Sequence, residues 1–369
     1  MQKDDLLQRL FQAGVRAVRG DVSVTAALDS APCPVPDQII AVGKAATAMA
    51  GAAATRFPDT PMLIVTKYDH ADGAPAHAHV IEAAHPVLDE NSLMAGRRIR
   101  ETVSSMAPGS HLLMLVSGGA SALAEDPVDG LDLAGLSERA RAMLASGADI
   151  HEMNAARKKL SRVKGGALLS NFKGTRVTTL AISDVEGDAL SVIGSGIGDA
   201  PEGAGFEFVP QIVASNAIAR SAVAAEAARL GIPLITDEES LYDDVNVVAG
   251  RVADKLSNAA PGLHLFGGEP TVVLPDNPGE GGRNQALGLL LAREISGTGG
   301  LQVLVAGTDG TDGPTSAAGA VVDGAVWSPD GQDALDRADA GPWLAARDAL
   351  LTTGPTGTNV MDLVAALRR

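Results

Sequence analysis

The alternation of apolar and polar positions along the chain predicts strands and helices in turn. Several apolar runs are short, dense and bounded by glycine, proline or polar residues; they cover 38–43, 61–67, 112–116, 176–185 and 301–306. Such runs are typical of strands buried on both faces of a parallel sheet. Other segments repeat apolar residues at helical spacing, beginning with 6–15,. The pattern therefore favours the α/β class.

The domain organisation is indicated by a change of composition near 258–262, where asparagine, proline and glycine suggest a linker,. We expect two α/β domains. The larger would span 1–258, with a Rossmann-like and mostly parallel sheet, and the smaller would span 259–369. Inside the smaller domain the run 263–266 is expected to pair with 271–274. Inside the larger one the pattern predicts helices over 131–172.

The turn Ser117–Ser121 directly follows the apolar run 112–116 and is the stretch around which the other candidates are arranged. Its two glycines let the backbone turn sharply and approach a ligand closely. Open α/β sheets bind ligands at the carboxyl ends of their strands, and free backbone N–H groups there suit phosphate. The sequence therefore predicts an anion-binding turn at this place.

Lys44 stands between a strand and an alanine-rich helix, directly after Gly43. This order brings a cation and a helix N-terminus close to a bound anion. The motif is not a Walker A loop, because that loop requires a glycine where Gln38 stands,. Solvation at the helix start is the other interpretation of Lys44.

A basic stretch, 154–166, stands out in an acidic chain. At helical spacing Asn154, Arg157 or Lys158, and Arg162 can share one face, which would either bind anions or form a solvated surface. The glycine cluster 193–199 resembles a dinucleotide fingerprint, but its third glycine comes one residue too early,.

Acidic residues follow two of the predicted strands. Asp184, with Glu186 and Asp188, could hold Mg²⁺ or could serve as turn residues,. Asp309 and Asp312 lie in a glycine-rich loop whose spacing is not that of an EF-hand,.

Two further side chains are candidates for contact with a ligand. Arg283 opens a helix after a loop rich in proline and glycine, a place suited to bidentate contact with phosphate or carboxylate,. His85 precedes a proline in an extended loop, where it could touch substrate or make a structural hydrogen bond,.

The formal net charge of −16 argues against a nucleic-acid partner, which requires an excess of lysine and arginine,. The single cysteine, Cys33, fits a reducing compartment,. The N-terminal segment lacks the apolar core of a signal peptide, and no apolar run has transmembrane length,. We therefore expect a cytoplasmic protein that acts on small molecules, with no membrane partner.

An ordered set of motifs resembles the glycerate 2-kinase family, the class with a C-terminal MOFRL domain. The match spans nearly the whole chain and keeps the order of the family's motifs. They are 42–45, 117–121, Asn154 with Arg157-Lys158, 164–166, 183–185, Ser195-Gly196, 267–269, 281–285, 307–313 and 354–360. The resemblance implies an ATP- and Mg²⁺-dependent kinase that phosphorylates the C2 hydroxyl of D-glycerate and yields 2-phosphoglycerate. It also implies two α/β domains, the second of the MOFRL type, with the site in the cleft between them. We expect a monomer or homodimer.

The resemblance also assigns roles to residues. Lys44 and Arg283 would be the catalytic cations that stabilise the transferring phosphoryl group. The other roles rest on the chemistry that the residues permit: Asp184, Asp309 or Asp312 would hold Mg²⁺, and one of them, with Asp184 the first choice, would accept the hydroxyl proton,. Substrate or nucleotide would be bound by Ser117, Gly118, Gly119, Ser121, Asn154, Arg157, Lys158, Lys164, Ser195, Gly196, Gly268, Glu269, Asn284 and Thr311.

Other functions remain open at this point. The family's Gly-Glu element is not recognisable in 239–250, which leaves room for a related small hydroxy acid as substrate. An NAD(P)-dependent hydroxypyruvate reductase should carry G-x-G-x-x-G between a strand and a helix, and no segment satisfies this,. A non-catalytic anion-binding or regulatory protein is a further alternative.

Overall fold

The computed structural model describes residues 6–145 and 158–369, and these form two compact units. One unit is Arg19–Ala214, and the other joins the segment ending at Val18 to Ser215–Arg369. Among the residues so described, no helix is both long enough and apolar enough to cross a membrane.

Helices and strands alternate along most of the described chain. The helices are α1 Leu6–Ala17, α2 Gly20–Ser30, α3 Ala46–Arg56, α4 Glu90–Ser105, α5 Ala120–Leu123, α6 Leu133–Ala145, α7 Asn216–Arg229, α8 Val245–Ser257, α9 Arg283–Glu294, α10 Gly331–Asp336 and α11 Ala340–Ala345. The strands are β1 Gln38–Val42, β2 Met62–Lys67, β3 His79–Ala83, β4 His111–Val116, β5 Arg176–Ile182, β6 Glu207–Ala214, β7 Leu234–Glu239, β8 Gly262–Gly268, β9 Leu301–Gly307, β10 Gly319–Asp323, β11 Leu350–Leu351 and β12 Asp362–Arg368.

The unit Arg19–Ala214 is built on a six-stranded sheet in the order β3-β2-β1-β4-β5-β6. Every neighbouring pair in it is parallel, which confirms the predicted Rossmann-like sheet. All six residues of β4 are buried, as expected for a central strand covered on both faces,. Because β1 and β4 are neighbours from which the chain winds outward in opposite directions, their carboxyl ends form the switch point where such sheets bind ligands.

The second unit contains a mixed six-stranded sheet in the order β11-β10-β9-β12-β8-β7. The final strand, β12, lies antiparallel between β8 and β9, so its first residue, Asp362, pairs with the last residues of both, Gly268 and Gly307. The expected pairing of 263–266 with 271–274 is wrong. Residues 271–274 form no strand, and Val273 is 84% exposed.

The division into units differs from the boundary expected at 258/259. Helices α7 and α8 and strand β7 belong with the C-terminal part, because β7 pairs with β8 in the second sheet. Helix α7 is bound to the same sheet: Arg220 forms ion pairs with Asp237 and Glu239 of β7. Helix α1 packs on α7, which places α1 in this unit as well.

The helices predicted over 131–172 are only partly present. Helix α6 covers Leu133–Ala145, and residues 146–157 lie outside the described chain. The following segment is mostly turns and ends in a short 3₁₀ turn, Leu169–Asn171. The break predicted at Gly165-Gly166 is confirmed, since both glycines have positive φ.

Candidate active site

The turns after β1 and β4 are locked together at the carboxyl edge of the parallel sheet. The backbone N–H of Lys44 donates to the carbonyl of Gly118 at 2.9 Å, and that of Ala45 donates to Ser117 Oγ at 3.1 Å. Gly43 has φ of 129°, and a Cβ there would lie 2.2 Å from Ser117 Oγ. This close approach requires glycine and fixes where the Lys44 side chain leaves the backbone.

Lys44 is half-buried, yet its ammonium group forms no hydrogen bond or ion pair within the described part of the chain. It stands just before α3, whose first turn has no side-chain cap. Those backbone N–H groups and the lysine charge both favour an anion at this point. The structure therefore supplies a positioned cation that forms no direct ion pair among the described residues.

Asp184 follows β5 and brings a carboxylate to the same edge. Burial raises the pKa of Asp184 above its ordinary value, and the nearby charge of Lys44 opposes that rise. A Cβ on Gly118 would lie only 2.0 Å from Asp184 Oδ2. The turn after β4 and the carboxylate after β5 are therefore in direct contact.

Substituting Gly118 by alanine should displace the Asp184 carboxylate, because a methyl group cannot occupy a position 2.0 Å from an oxygen. We expect the turnover number to fall by roughly 10²-fold, the cost of a misplaced reacting group. Gly51→Ala in α3 is the matched control, since a Cβ there meets nothing within 4 Å. Steady-state kinetics of both variants test this, and equal activity of the two would contradict the assigned contact.

A second layer of residues lies beside the turn after β4. It consists of Ser121, Ser195 and the segment 164–166. The hydroxyls of Ser121 and Ser195 are 2.8 Å apart, and Gly165 N–H donates to the Ser195 carbonyl at 2.8 Å. Ser195 has φ of 59°, flanked by Gly194 and Gly196 with φ of 55° and 77°. These left-handed residues form a turn against Ala120 and Gly165, unlike the strand-to-helix turn of a dinucleotide fingerprint,.

Lys164, expected from the family resemblance to bind a ligand, lies in a buried ion pair. Its Nζ is 2.6 Å from Glu125 Oε2, and the two side chains are 3% and 4% exposed. Its ammonium group is thus engaged inside the protein. The N–H of the next residue, Gly165, donates to Ser195. The Lys164–Glu125 ion pair therefore anchors the segment that supports Ser195 and its partner Ser121.

Replacing Lys164 by methionine should destabilise the fold by roughly 3–5 kcal/mol, because it leaves Glu125 buried without its counter-ion. The double variant Lys164→Met/Glu125→Leu should recover much of that loss, since no charge then stays buried. The surface pair Lys255–Glu238 offers a control: Lys255→Met should change stability by about 0–1 kcal/mol,. Denaturant unfolding of the three variants measures the differences, and a Lys164→Met loss no larger than the control's would contradict the buried pair.

Three further binding candidates belong to the basic stretch. Asn154 and Arg157 lie outside the described residues. Lys158 is half-buried, and its aliphatic carbons lie 3.3 Å from the position of a Cβ on Gly165.

In the second unit Arg283 is the first residue of α9 and is held by two carboxylates. Its Nε and Nη2 donate to the two oxygens of Asp362 at 2.6 and 3.1 Å, and its Nη1 is 2.8 Å from Glu269 Oε1. Burial alone would lower the pKa of Arg283, but the hydrogen bond and charge of Asp362, with the charges of Glu269 and Asp312, raise it. Arg283 is therefore oriented and already neutralised, whereas Lys44 is not.

Asp312, expected as a metal ligand, caps helix α9. Its two carboxylate oxygens accept the backbone N–H groups of Asn284 and Gln285 at 3.0 and 2.8 Å. Burial, opposed by these donors, raises the pKa of Asp312, and the charge of Asp362 adds to the rise. Asn284, expected to bind substrate or nucleotide, is 1% exposed and donates its side-chain amide to the same carboxylate. Both side chains thus support the helix that carries Arg283.

The remaining candidates of this unit lie near the ends of β8 and β9. Gly268 has φ of 135° and runs close to Leu241, and Thr311 is exposed. Asp309 is half-buried and accepts the backbone N–H of Thr311 at 3.0 Å. Within 6–145 and 158–369, no three side chains of histidine, cysteine, aspartate or glutamate are grouped in a way that could hold a metal ion.

The sequence did not reveal Asp362, the residue that orients Arg283. It opens the last strand, 79 positions away from Arg283, and is 1% exposed. A lone aspartate before an apolar strand carries no local signal of this role. Its position follows only from the insertion of β12 between β8 and β9.

Comparison with known proteins identifies two domains by sequence. Residues 6–227 match the domain of unknown function DUF4147, and residues 262–362 match the MOFRL family.

Similar full-length proteins include a D-glycerate 2-kinase of Thermotoga maritima, which is 35% identical over 89% of this chain and 90% of its own. A putative hydroxypyruvate reductase of Agrobacterium vitis is 36% identical over 89% of this chain and 98% of its own. The crystal structure of glycerate kinase from Thermotoga maritima superposes with a TM-score of 0.90 at 31% identity, covering 99% of both chains. The chain therefore belongs to the glycerate 2-kinase family, in which a DUF4147 domain is joined to a MOFRL domain.

Proposed function

We propose that this protein is a glycerate 2-kinase, which transfers the γ-phosphoryl group of ATP to the C2 hydroxyl of D-glycerate and releases 2-phosphoglycerate and ADP. The observation that carries the proposal is Lys44: a half-buried cation that forms no direct ion pair among the described residues, at the switch point of a parallel sheet. Phosphoryl transfer requires charge neutralisation and positioning more than covalent work, and such a lysine supplies both. The relatives named as glycerate kinases support the same reaction.

The residues at this edge fit a nucleotide and Mg²⁺. The uncapped first turn of α3 and the glycine turn after β4 offer backbone N–H groups to phosphate oxygens,. Mg²⁺ in kinases is held by one or two carboxylates together with substrate phosphates, so it needs no complete cage of protein ligands. Asp184 is the carboxylate that stands beside Lys44 and fits this part. A bound Mg²⁺ would neutralise phosphate charge.

The side chains divide the work as follows. Lys44 would stabilise the charge on the transferring phosphoryl group. Arg283, which Asp362 orients, would be the second catalytic cation. Asp184 would serve as the metal ligand or as the acceptor of the C2 hydroxyl proton; its raised pKa suits the second role,. Asp309 is the other carboxylate still open to a metal role, since Asp312 is engaged as a helix cap.

The proposal is tested by coupled ADP release across a panel of small hydroxy acids, with ATP and other nucleotides as donors and with Mg²⁺ or chelator present. We expect turnover with D-glycerate, dependent on Mg²⁺, and a product that phosphorus NMR shows to be phosphorylated at C2. Turnover with a different hydroxy acid would correct the substrate. No phosphorylation of any acceptor would overturn the kinase assignment.

A hydroxypyruvate reductase is the second candidate, because the Agrobacterium vitis relatives carry that name and the sheet order is that of dinucleotide-binding folds,. In those folds the first strand leads into G-x-G-x-x-G, and an acidic residue some 20 positions on binds the ribose. Here the first turn is Gly43-Lys44-Ala45, and β2 ends in Lys67. NADH oxidation with hydroxypyruvate, in the absence of ATP turnover, would favour the reductase.

A further inference from the structure

The loop 84–89 brings His85 over the switch point of the parallel sheet. It leaves β3, an edge strand, yet a Cβ on Gly119 after β4 would lie 3.2 Å from His85 Cδ2 and 3.3 Å from its Nε2. With strands about 4.8 Å apart, the loop spans roughly 14 Å across the ends of β2 and β1. The ring thus reaches the anion-binding turn from the far edge of the sheet.

The reach of this loop is fixed by its own hydrogen bonds. Asp89 caps α4 by accepting the N–H of Ser92 at 2.9 Å, and the same carboxylate accepts the N–H of Ala84 at 3.4 Å and the hydroxyl of Tyr68 at 2.6 Å. The two ends of the loop are therefore tied together. The His85 ring itself is half-buried, and no hydrogen bond is made by either of its nitrogens to the described residues.

Two lysines face this ring. Lys44 Cγ lies 3.1 Å from the same Gly119 Cβ position that contacts His85, and Lys67 is the last residue of β2, paired with Ala83 two positions before His85. Burial and then the charges of Lys44 and Lys67 lower the pKa of His85 to about 4, so the ring is neutral near pH 7. A neutral imidazole keeps one N–H donor.

Lys67 resembles Lys44 in being half-buried with no ion pair in the part of the chain that the structure describes. Two cations that form no direct ion pair in the described part of the chain, with an imidazole beside them that makes no hydrogen bond there, can accommodate more than one anionic group. In glycerate the carboxylate is bonded to C2, the same carbon that bears the reacting hydroxyl. The carboxylate must therefore bind close to the phosphoryl group that the hydroxyl receives.

We propose that His85 and Lys67 form the subsite for the carboxylate of the hydroxy-acid substrate, beside the phosphoryl position at Lys44. This inference rests on the proposed kinase function and adds the residues that select an acid as acceptor. Lys67 supplies the positive charge, and the neutral His85 ring donates a hydrogen bond to the same carboxylate. Neither residue needs to react; both orient the C2 hydroxyl through the neighbouring carboxylate.

The test compares D-glycerate with its methyl ester, which keeps the C2 hydroxyl and lacks the charge. Lys67→Met and His85→Asn should lower kcat/KM for glycerate by about 10- to 100-fold, the worth of a charge-assisted hydrogen bond. They should leave kcat/KM for the ester and KM for ATP within about 3-fold of the wild type. A merely structural defect would lower kcat/KM equally for both substrates and would also lower the thermal unfolding midpoint.

Matched controls come from the amino ends of strands in the same sheet, away from the carboxyl ends where His85 and Lys67 lie. Lys173→Met, exposed before β5, and His79→Asn, exposed at the start of β3, should leave both substrates unchanged. If KM for ATP rises instead, the subsite belongs to the nucleotide and the inference is wrong while the kinase stands. If variants and wild type prefer glycerate over its ester equally, the inference is likewise overturned. A wild-type protein that neither binds glycerate in calorimetry nor phosphorylates it removes the proposed function and this subsite together.

Discussion

Lys44→Met should lower kcat for glycerate phosphorylation by on the order of 10²–10³-fold, the cost of removing one group that stabilises transition-state charge. The ammonium group makes no ion pair or hydrogen bond with the described residues, so its removal breaks no direct contact. The buried Asp184 nearby loses an opposing charge, but its pKa is already raised and it can take up a proton instead of staying charged,. The thermal unfolding midpoint should therefore stay close to that of the wild type. A large kinetic defect without a folding defect is the signature of a residue that acts on the reacting group.

Two companion variants sharpen this measurement. Lys173→Met removes an exposed lysine that lies before the amino end of β5, and it should leave kcat unchanged. Lys44→Arg keeps the charge but places it on a larger, planar group, so we expect only partial activity. If Lys44→Met kept more than about a third of wild-type kcat, the lysine would be a surface residue and the central observation of the proposed function would fail.

The parallel sheet and its ligand-binding edge could be predicted from the sequence, because both depend on local patterns. A strand buried on both faces has to be apolar throughout, and β4 is such a strand,. The carboxyl ends of parallel strands meet at one edge, so Lys44, Ser117 and Asp184 could be expected at the same edge of the sheet. Which of them touch depends on the strand order, and the structure supplies it by pairing β1 with β4 and β4 with β5.

Other features could not be predicted, because they depend on pairings between distant segments. The run 271–274 is as rich in β-forming residues as a strand, but the partner position beside β8 is taken by β12. Lys164 stands in a basic stretch, which is typical of a surface lysine. Only its pairing with Glu125, 39 positions away, shows that it is an internal counter-ion. Propensity describes what a segment can form, and tertiary competition decides which segment forms it.

The same limit applies to the two units. Their boundary was expected where composition changes, near 258–262, but β7 joins the second sheet and carries α7 with it. A loop with proline and glycine separates α8 from β8 without separating two cores. The sequence showed a break in secondary structure, and only the strand pairing showed which core each element stabilises.

The prediction that Lys44 and Arg283 act on one phosphoryl group can be tested by a kinetic cycle. Removing Arg283 alone would leave Asp362, which is 1% exposed, without its partner. The appropriate variant is therefore Arg283→Met/Asp362→Asn, with Asp362→Asn as its own control. This double variant should lose on the order of 10²-fold in kcat, comparable to the loss of one transition-state donor.

Combining that variant with Lys44→Met decides whether the two cations work together. Groups that stabilise the same charge are strongly non-additive, so the triple variant should be little slower than Lys44→Met alone. Cations that serve separate ligands would instead give losses that multiply, for a total of roughly 10⁴–10⁵-fold. A multiplied loss, with unchanged thermal unfolding midpoints, would show that Arg283 does not reach the phosphoryl group stabilised by Lys44, and Arg283 would then be reassigned from catalysis to the support of α9 through Asp362.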